Sequence, residues 1–342
     1  MLIAVPKELT TGETRVALTP QHTANLRALG ININIEADAG KAAEFTNEDY
    51  LKAGAYICQT PQQTYKNADL ILKIWAPLKK ELEYYTPAQT IVCNAQNIKT
   101  FAHLKLFSSA KLNLFALDLI PRISRAQHMD ILSSQDTLAG YKALLLGINT
   151  CKRTAPLLMT SAGTLTPLKV LIIGLGVSGL QAASTAHRMG CQVYAYDKRS
   201  ETEEQAASVG AVFVKKISND LLSSVHLIIT NAQTKGKEAP KVLSDKQLSY
   251  IPDNCTIIDM AADSGGNIEA DKIKESTLLI RNSHLAGCLP HSASILYSGN
   301  IFNFCRQLIK NKCIEPNFDD EIIEKTAICW HGQLKHPYLT GK

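Results

Sequence analysis

The sequence lacks the cysteine spacing of a zinc site or a disulfide framework. Its nine cysteines are scattered and odd in number, and no two of them stand at CxxC spacing. This distribution favours reduced thiols in a cytoplasm over metal binding or disulfide pairing. We therefore expect a cytoplasmic protein without a metal site.

The sequence also lacks a large excess of charge of either sign. The formal net charge is +5 over 342 residues, and no block of lysine and arginine interleaved with aromatic residues stands out, so we expect no nucleic-acid partner. The N-terminus has no basic stretch followed by a long apolar core, which argues against a secretory signal. The longest run without a charged residue or histidine, residues 170–186, is nearly long enough to cross a bilayer, but its glycines fit a nucleotide-binding turn better.

Short apolar runs alternate with helical patterns along the chain, which is typical of βα units and parallel sheets. Apolar residues at helical spacing predict a helix from Leu132 to about Cys151 and a long amphipathic helix after Ile301. The length suits two domains. The predicted strands are residues 2–5, 31–37, 70–75, 90–95 and 113–119 in the first half, and 169–174, 192–197, 211–214, 226–232, 255–261 and 277–282 in the second.

Residues 174–179, GLGVSG, have the GxGxxG spacing of a dinucleotide-binding turn, with a β-branched strand before them and a helical pattern after. Gly174 permits the tight turn, Gly176 lets backbone amides approach a pyrophosphate, and Gly179 allows the helix to pack closely on the strand. The positive end of the helix favours phosphates. The whole turn is the predicted cofactor site, including Leu175 and Val177.

Asp197, at the end of the next predicted strand, indicates which nicotinamide dinucleotide is bound. Its carboxylate can accept hydrogen bonds from both adenosine ribose hydroxyls and would repel a 2′-phosphate, which favours NAD over NADP. Lys198 and Arg199 follow directly and can tolerate extra negative charge, so the preference is not absolute. A nucleotide-binding fold with an empty site is the alternative, but strand, glycines, helix and acid are all in register.

Two further loops follow strands at the edge where a doubly wound sheet binds its ligand. Residues 230–240, TNAQTKGKEAP, are predicted to form a flap that contacts the cofactor through Asn231 and Gly236. Residues 261–267, AADSGGN, bring a Gly-Gly pair and the preceding Met260 towards the nicotinamide. Each loop is equally explained as an ordinary βα turn.

A recognisable acid–base arrangement is missing. An enzyme that oxidises an alcohol or amine with NAD must move a proton as well as a hydride, which usually takes a positioned histidine, lysine or tyrosine. No histidine falls in such an arrangement, although His128 stays a candidate. Lys73, a lone charge on an apolar strand, is either an anchor for substrate or loop, or a structural lysine that snorkels to solvent.

Several segments together resemble the alanine dehydrogenase/NAD(P) transhydrogenase superfamily, and more narrowly its soluble NAD(H)-binding transhydrogenase branch. The resemblance runs almost end to end and includes the closing AICWHGQLKHPYLTG. The segments that carry it are, in order, RVALTP (15–20), LILKIWAP (70–77), PRISRAQHMD (121–130), GLGVSG, DMAADSGGNIE (259–269) and LAGCLPHSASILYSGN (285–300).

Two features separate the transhydrogenase branch from the amino-acid dehydrogenases. The loop after the fifth strand carries Arg122, Gln127 and Asp130, at spacings of five and three. Alanine dehydrogenases are also similar at Arg15 and Lys73, but they place a catalytic histidine where this sequence reads CNAQN. Hydride transfer between two cofactors abstracts no proton and needs only two nicotinamides held in contact with water excluded.

The resemblance implies a role for each residue of that loop. Arg122 and Asp130 position the nicotinamide end of NAD(H), Ser133 contacts its carboxamide, and Gln127 reaches NADP(H) on a partner subunit. A salt-linked structural loop is the alternative. The sequence departs from the family where the flap reads NAQTKGKEAP instead of TALIPGKPAP, and in a shorter segment after Asp197.

The resemblance further implies an α/β fold of two Rossmann-like, doubly wound parallel-sheet domains separated by a cleft. Residues 1–130, completed by 302–342, form one, and residues 131–301 form the NAD-binding domain. It implies a homodimer that joins a membrane-spanning α-subunit portion and an NADP(H)-binding β subunit at the cytoplasmic membrane face, since the chain reads as the split form of the α subunit. A soluble NAD-dependent alanine-type dehydrogenase and a non-catalytic NAD-binding partner protein stay open as alternatives.

Overall fold

The computed structural model describes residues 1–98, 100–233 and 238–335. The chain divides into two compact units, one formed by Met1–Gln135 with Leu289–Lys342 and the other by Asp136–Cys288. The sequence interpretation drew these divisions at 130/131 and 301/302. The chain therefore leaves the first unit, builds the second, and then returns to the first.

The strands of the described residues number 18, and the predicted strands recur with slightly shorter ends. In chain order they are β1 Leu2–Val5, β2 Asn32–Glu36, β3 Tyr56–Cys58, β4 Leu70–Trp75, β5 Thr90–Asn94, β6 Asn113–Ala116, β7 Leu158–Thr160, β8 Gly163–Leu165, β9 Lys169–Ile173, β10 Gln192–Tyr196, β11 Val212–Phe213, β12 Leu227–Thr230, β13 Thr256–Asp259, β14 Leu278–Arg281, β15 Ile309–Lys310, β16 Cys313–Ile314, β17 Ala327–Trp330 and β18 Gln333–Leu334.

The α-helices fill most of the connections between strands. Pro20 and Gly30 delimit the first helix as their residue types predict, because proline suits a first helical position and glycine adopts the positive φ after a helix, whereas Thr19 at the N-cap makes no side-chain capping bond. The helices are α1 Pro20–Ala28, α2 Asn47–Lys52, α3 Pro61–Tyr65, α4 Phe101–Ser109, α5 Ile131–Thr150, α6 Val177–Arg188, α7 Glu203–Ser208, α8 Asn219–Ser224, α9 Asp245–Leu248, α10 Pro290–Leu308 and α11 Glu321–Thr326.

The first unit is built on one eight-stranded sheet in the order β18-β17-β6-β5-β4-β1-β2-β3. Neighbours from β3 to β6 are parallel, whereas β17 pairs antiparallel with β6 and β18 pairs antiparallel with β17. The C-terminal segment thus supplies one edge of the sheet. It also supplies helix α10, whose Phe304 packs in the same buried cluster as Phe115 of β6 and Ile3 of β1.

The second unit contains a six-stranded, fully parallel sheet in the order β11-β10-β9-β12-β13-β14. With the strands numbered in chain order within this sheet, the order is the 3-2-1-4-5-6 of the doubly wound dinucleotide-binding fold. The order reverses between β9 and β12, and ligands of such sheets bind outside the carboxyl ends of the strands at that switch point. The predicted α/β class is therefore confirmed.

Helix α10 differs from the predicted one. It begins at Pro290, before Ile301, and ends at Leu308. Its first half buries small residues such as Ala293, Ser294 and Ser298, so the sequence shows no apolar stripe there. Within the described residues, no helix combines the length and apolarity needed to cross a membrane.

Candidate functional site

The turn after β9 has the geometry that its glycines predict. Gly174 has φ +101°, a value that side-chain-bearing residues rarely adopt. A Cβ on Gly179 would lie 1.9 Å from the Gly174 carbonyl oxygen, so only glycine lets α6 approach the strand. A Cβ on Gly176 would meet no atom nearer than Asn231 Nδ2 at 3.8 Å, so there is space for a ligand to approach the protein backbone at this residue.

The other residues of the turn hold it in place. Leu175 is buried and donates its N–H to Asp197 Oδ2 at 2.7 Å, while Gly174 donates to the Tyr196 carbonyl at 2.8 Å. Val177, the first residue of α6, is 38% exposed. The first amides of a helix have no partner within it, so this exposed end can receive an anion.

Asp197 does not present free oxygens. Its carboxylate accepts hydrogen bonds from Leu175 N, from Arg199 N at 2.9 Å, and from Arg199 Nε and Nη2 at 3.0 Å each. Burial raises the pKa of Asp197, but the hydrogen bonds from Arg199 outweigh it and the net pKa is lowered. The acid is therefore ionised and paired, and Lys198 beside it is exposed.

Asn231 and Met260 lie at the carboxyl ends of β12 and β13. The Asn231 side chain donates to the Ser178 hydroxyl in the first turn of α6, and its N–H bonds to Ile173 O at 2.9 Å. Met260 is 6% exposed and bonds through its N–H to Thr230 O. The structure thus brings these two residues and the glycine turn to neighbouring strand ends, while Gly236 lies outside the described residues.

Two residues of this region escaped the sequence interpretation. Asp259 is fully buried and accepts the N–H groups of Ala261 and Asn267. Asn267, also fully buried, accepts from Ala232 N at 3.0 Å and donates to the carbonyls of Ala232 and Pro240. They tie the two strand-end loops together. An acid that ends an apolar strand, followed by Gly-Gly-Asn, is the sequence signal that could have revealed them.

The loop of residues 121–130 separates into paired and unpaired side chains. Asp130 accepts from the Ser133 N–H at 3.0 Å and from its hydroxyl at 2.6 Å, which caps the start of α5. Arg122 and Gln127 are exposed, and neither side chain makes a hydrogen bond or ion pair to another described residue. The structure brings Asp130 and Ser133 together and leaves Arg122 and Gln127 available.

Contacts within the first unit hold this loop in place. Arg125 forms a bidentate pair with Asp320 at 2.7 and 2.8 Å, and the guanidinium lowers the pKa of that carboxyl. Asn300 and Asn303 donate to the His128 carbonyl at 2.9 and 3.3 Å. The salt link expected of a structural loop therefore exists, but Arg125 makes it and Arg122 stays out of it.

Lys73 and Arg15, the cations shared with alanine dehydrogenases, are buried and neutralised. Lys73 Nζ is 2.8 Å from Glu81 and 3.3 Å from Glu8, at 1% side-chain exposure, so the snorkelling interpretation is wrong and the loop-anchor interpretation fits. Arg15 donates to Glu13 from Nη2 at 2.7 Å and from Nε at 2.8 Å. Both cations already have internal carboxylate partners.

Comparison with known proteins matches both units. The family described as Alanine dehydrogenase/PNT matches through its N-terminal domain at residues 4–139 and through its C-terminal domain at 143–337. A Rhodospirillum rubrum protein, named as the first of the separate portions of NAD(P) transhydrogenase subunit alpha, is 31% identical over 100% of both chains. A Bacillus subtilis alanine dehydrogenase is 25% identical over 98% of this chain and 93% of its own. The solved structure of a transhydrogenase from Sinorhizobium meliloti has a TM-score of 0.90 and 32% identity, covering 99% of this chain and 100% of that one.

Proposed function

The chain belongs to the alanine dehydrogenase/PNT family of oxidoreductases, and we propose that it is the NAD(H)-binding subunit of a proton-translocating NAD(P) transhydrogenase. It would pass hydride from NADH to NADP⁺ bound on a partner subunit. The observation that carries the proposal is the loop of residues 121–130, which is held by the Arg125–Asp320 pair and the Asn300 bond to the His128 carbonyl, while Arg122 and Gln127 bond to no other described residue.

The second unit is proposed as the NAD(H)-binding domain. The open space at Gly176, the free first turn of α6 and the adjoining Asn231 fit a dinucleotide whose pyrophosphate lies against the turn. Bound NAD(H) would supply the hydride. The protein would supply amides for the phosphates and a fixed position for the adenosine end.

The loop is proposed to position the nicotinamide end. Arg122 offers a cation and five donors to that end, and Asp130 and Ser133 form a preset pair at the start of α5, whereas Gln127 offers both donor and acceptor to NADP(H) on the partner subunit. A group already held in place loses little freedom when a ligand arrives. Because transfer between two cofactors needs no general base, the absence of a recognisable one from the sequence agrees with this chemistry.

The buried cations disfavour the alanine-type alternative. A substrate carboxylate that bound the Nε–Nη2 edge of Arg15 or the Lys73 ammonium would have to displace Glu13, Glu8 or Glu81, each of which is already held at close range. Breaking a buried ion pair leaves a buried charge without a partner, which is strongly unfavourable. This arrangement favours transhydrogenase chemistry over amino-acid oxidation.

The hairpin of β7 and β8 supports the proposed homodimer. Leu158, Met159 and Leu165 are 41%, 76% and 52% exposed, and residues 157–165 contain no charge. A two-stranded hairpin is marginal by itself, and a contiguous exposed apolar patch marks an interface. Since the patch is uncharged, it suits the same patch of a second copy across a two-fold axis.

Further subunits are proposed because the Rhodospirillum rubrum relative is named as only one portion of a subunit alpha. They would be a membrane-spanning α-subunit portion and an NADP(H)-binding β subunit. Through them the chain would act at the cytoplasmic face of the membrane. The proton movement would belong to those partners.

Stopped-flow absorbance tests the proposal. The purified chain is mixed with the NADP(H)-binding portion of a transhydrogenase β subunit, NADH, and an NADP⁺ analogue of shifted absorbance. We expect fast transfer that needs both proteins. Gln127→Asn, which shortens the side chain by one methylene, should slow transfer about tenfold to a hundredfold while leaving NADH affinity unchanged.

The matched control is Gln62→Asn, on the exposed face of α3, which should transfer hydride at the wild-type rate. Absence of transfer despite NADH binding would favour the non-catalytic NAD-binding alternative. NAD⁺ reduction by an amino acid without any partner protein would favour the dehydrogenase alternative.

A further inference from the structure

We infer that Arg199 determines how the nucleotide site divides between NADH and NADPH, because it occupies the acceptor positions of Asp197 that ribose hydroxyls would use. The inference rests on the proposed nucleotide site in the second unit. The ion pair is held by Nε and Nη2 of Arg199, each 3.0 Å from one oxygen of the carboxylate.

The acceptor positions of Asp197 are all taken. A carboxylate has about four lone-pair sites. Backbone N–H groups of Leu175 and Arg199 take one site on each oxygen, and the guanidinium takes one more on each. Two ribose hydroxyls can bond to this acid only if the guanidinium leaves, which frees one site per oxygen.

A 2′-phosphate has the opposite requirement. It would be repelled by a bare Asp197, but the guanidinium beside that acid neutralises its charge, and Nη1, which bonds to no other described residue, can donate to the phosphate. The Arg199 side chain is 48% exposed, whereas that of Asp197 is 8% exposed, so the head of the arginine can turn towards a ligand while the acid stays in place. NADH competes with the ion pair, and NADPH makes use of it.

A structural role alone would predict a different outcome. Arg199 Nη2 also donates to the Leu175 carbonyl at 3.3 Å, so the side chain braces the glycine turn. If bracing were its only task, removal would weaken both nucleotides equally. The specificity role predicts that removal weakens NADPH binding and does not weaken NADH binding, which separates the two explanations.

The test is fluorescence titration of the full chain with NADH and with NADPH. Arg199→Gln should weaken NADPH binding about tenfold and should not weaken NADH binding, because it removes the charge and the bidentate fork. Arg199→Lys keeps the charge without the fork and should retain much of the NADPH affinity. Raising the salt concentration should reduce NADPH affinity more in the wild type than in Arg199→Gln.

Arg188→Gln is the matched control, since it removes the same charge from the far end of α6 and should leave the affinity ratio unchanged. An unchanged ratio in Arg199→Gln, or equal weakening of both nucleotides, would overturn this inference and leave the proposed function standing. A wild-type chain that binds neither nucleotide would overturn both.

Discussion

Asn300 is the residue on which the geometry of the candidate loop most depends. Its side chain, 8% exposed, donates to the His128 carbonyl at 2.9 Å and accepts from the Ser134 hydroxyl at 2.7 Å. One amide therefore holds the end of the loop and the first turn of α5, with Asp130 and Ser133 between them. A satisfied buried amide fixes position because leaving either group unpaired is costly.

Asn300→Asp keeps the shape and the acceptor but removes the donor to His128. We expect a stability loss of about 1–3 kcal/mol, measured by chemical denaturation, because a carboxylate oxygen then faces the carbonyl. Hydride transfer should slow about tenfold or more, since small displacements of reacting groups cost rate. NADH affinity should not change, because the glycine turn lies in the other unit.

Asn303→Asp is the comparison, because Asn303 reaches the same carbonyl at 3.3 Å from a more exposed position and should have a smaller effect. Transfer at the wild-type rate in Asn300→Asp would contradict the positioning role.

At the scale of elements, a histidine forms hydrogen bonds that link the two central strands of the second unit. His226, just before β12, accepts the N–H of Lys169, the first residue of β9, at 3.1 Å through Nδ1. The backbone N–H of His226 donates to the Lys169 carbonyl at 3.0 Å. Burial lowers the pKa of His226, and the neighbouring Arg153 and Lys169 lower it further. The native strands therefore require the neutral ring.

This contact predicts a loss of stability in mild acid. The folded-state pKa lies below the ordinary value of 6.5, so the stabilisation is present above about pH 6.5 and is lost as the pH falls through the lowered folded-state value. His226→Asn keeps an acceptor near the position of Nδ1 without a titrating ring. Between pH 7.5 and pH 5.5 (roughly one unit on either side of the ordinary value), thermal unfolding should shift less in this variant than in the wild type.

His187→Asn, on the exposed surface of α6, should keep the wild-type pH response. An identical response in His226→Asn and the wild type would contradict this prediction, because it would show that the pKa of the His226 ring does not differ between the folded and unfolded states.

At the scale of the whole molecule, the apolar hairpin of β7 and β8 predicts the state of assembly. Met159→Glu places a charge at its most exposed apolar side chain, 76% exposed. We expect the wild type to sediment as a dimer and Met159→Glu as a monomer with unchanged thermal stability of each unit, because burying an unpaired charge opposes association.

Leu51→Glu makes the same exchange at a 55% exposed position on α2 of the first unit and should stay dimeric. A monomeric wild type at micromolar concentration, or equal dissociation in both variants, would contradict the assignment of the hairpin to a dimer interface.

The sequence predicted most of what depends on local pattern and little of what depends on distant partners. Apolar runs located the central strands, and glycine spacing located the turn at Gly174. The partner of Arg125 lies 195 residues away, at Asp320, and no periodicity marks such a pair. The buried charges around Lys73 were hidden in part for the same reason, since Glu8 comes from a separate segment of the chain, whereas Glu81 is only 8 residues away.

The interrupted path of the first unit has a consequence for the order of synthesis. Its sheet is completed only by β17 and β18, which follow the whole second unit in the chain. At about 5–20 residues per second, a ribosome takes roughly 8–30 s to make the chain between the two segments, residues 136–288. During that interval the face that α10 will cover is exposed to water, and at its end the second unit has all its strands whereas the first does not. A chaperone that protects the nascent chain would therefore bind one defined surface, the unfinished N-terminal sheet. It would release that surface when α10 and β17 emerge.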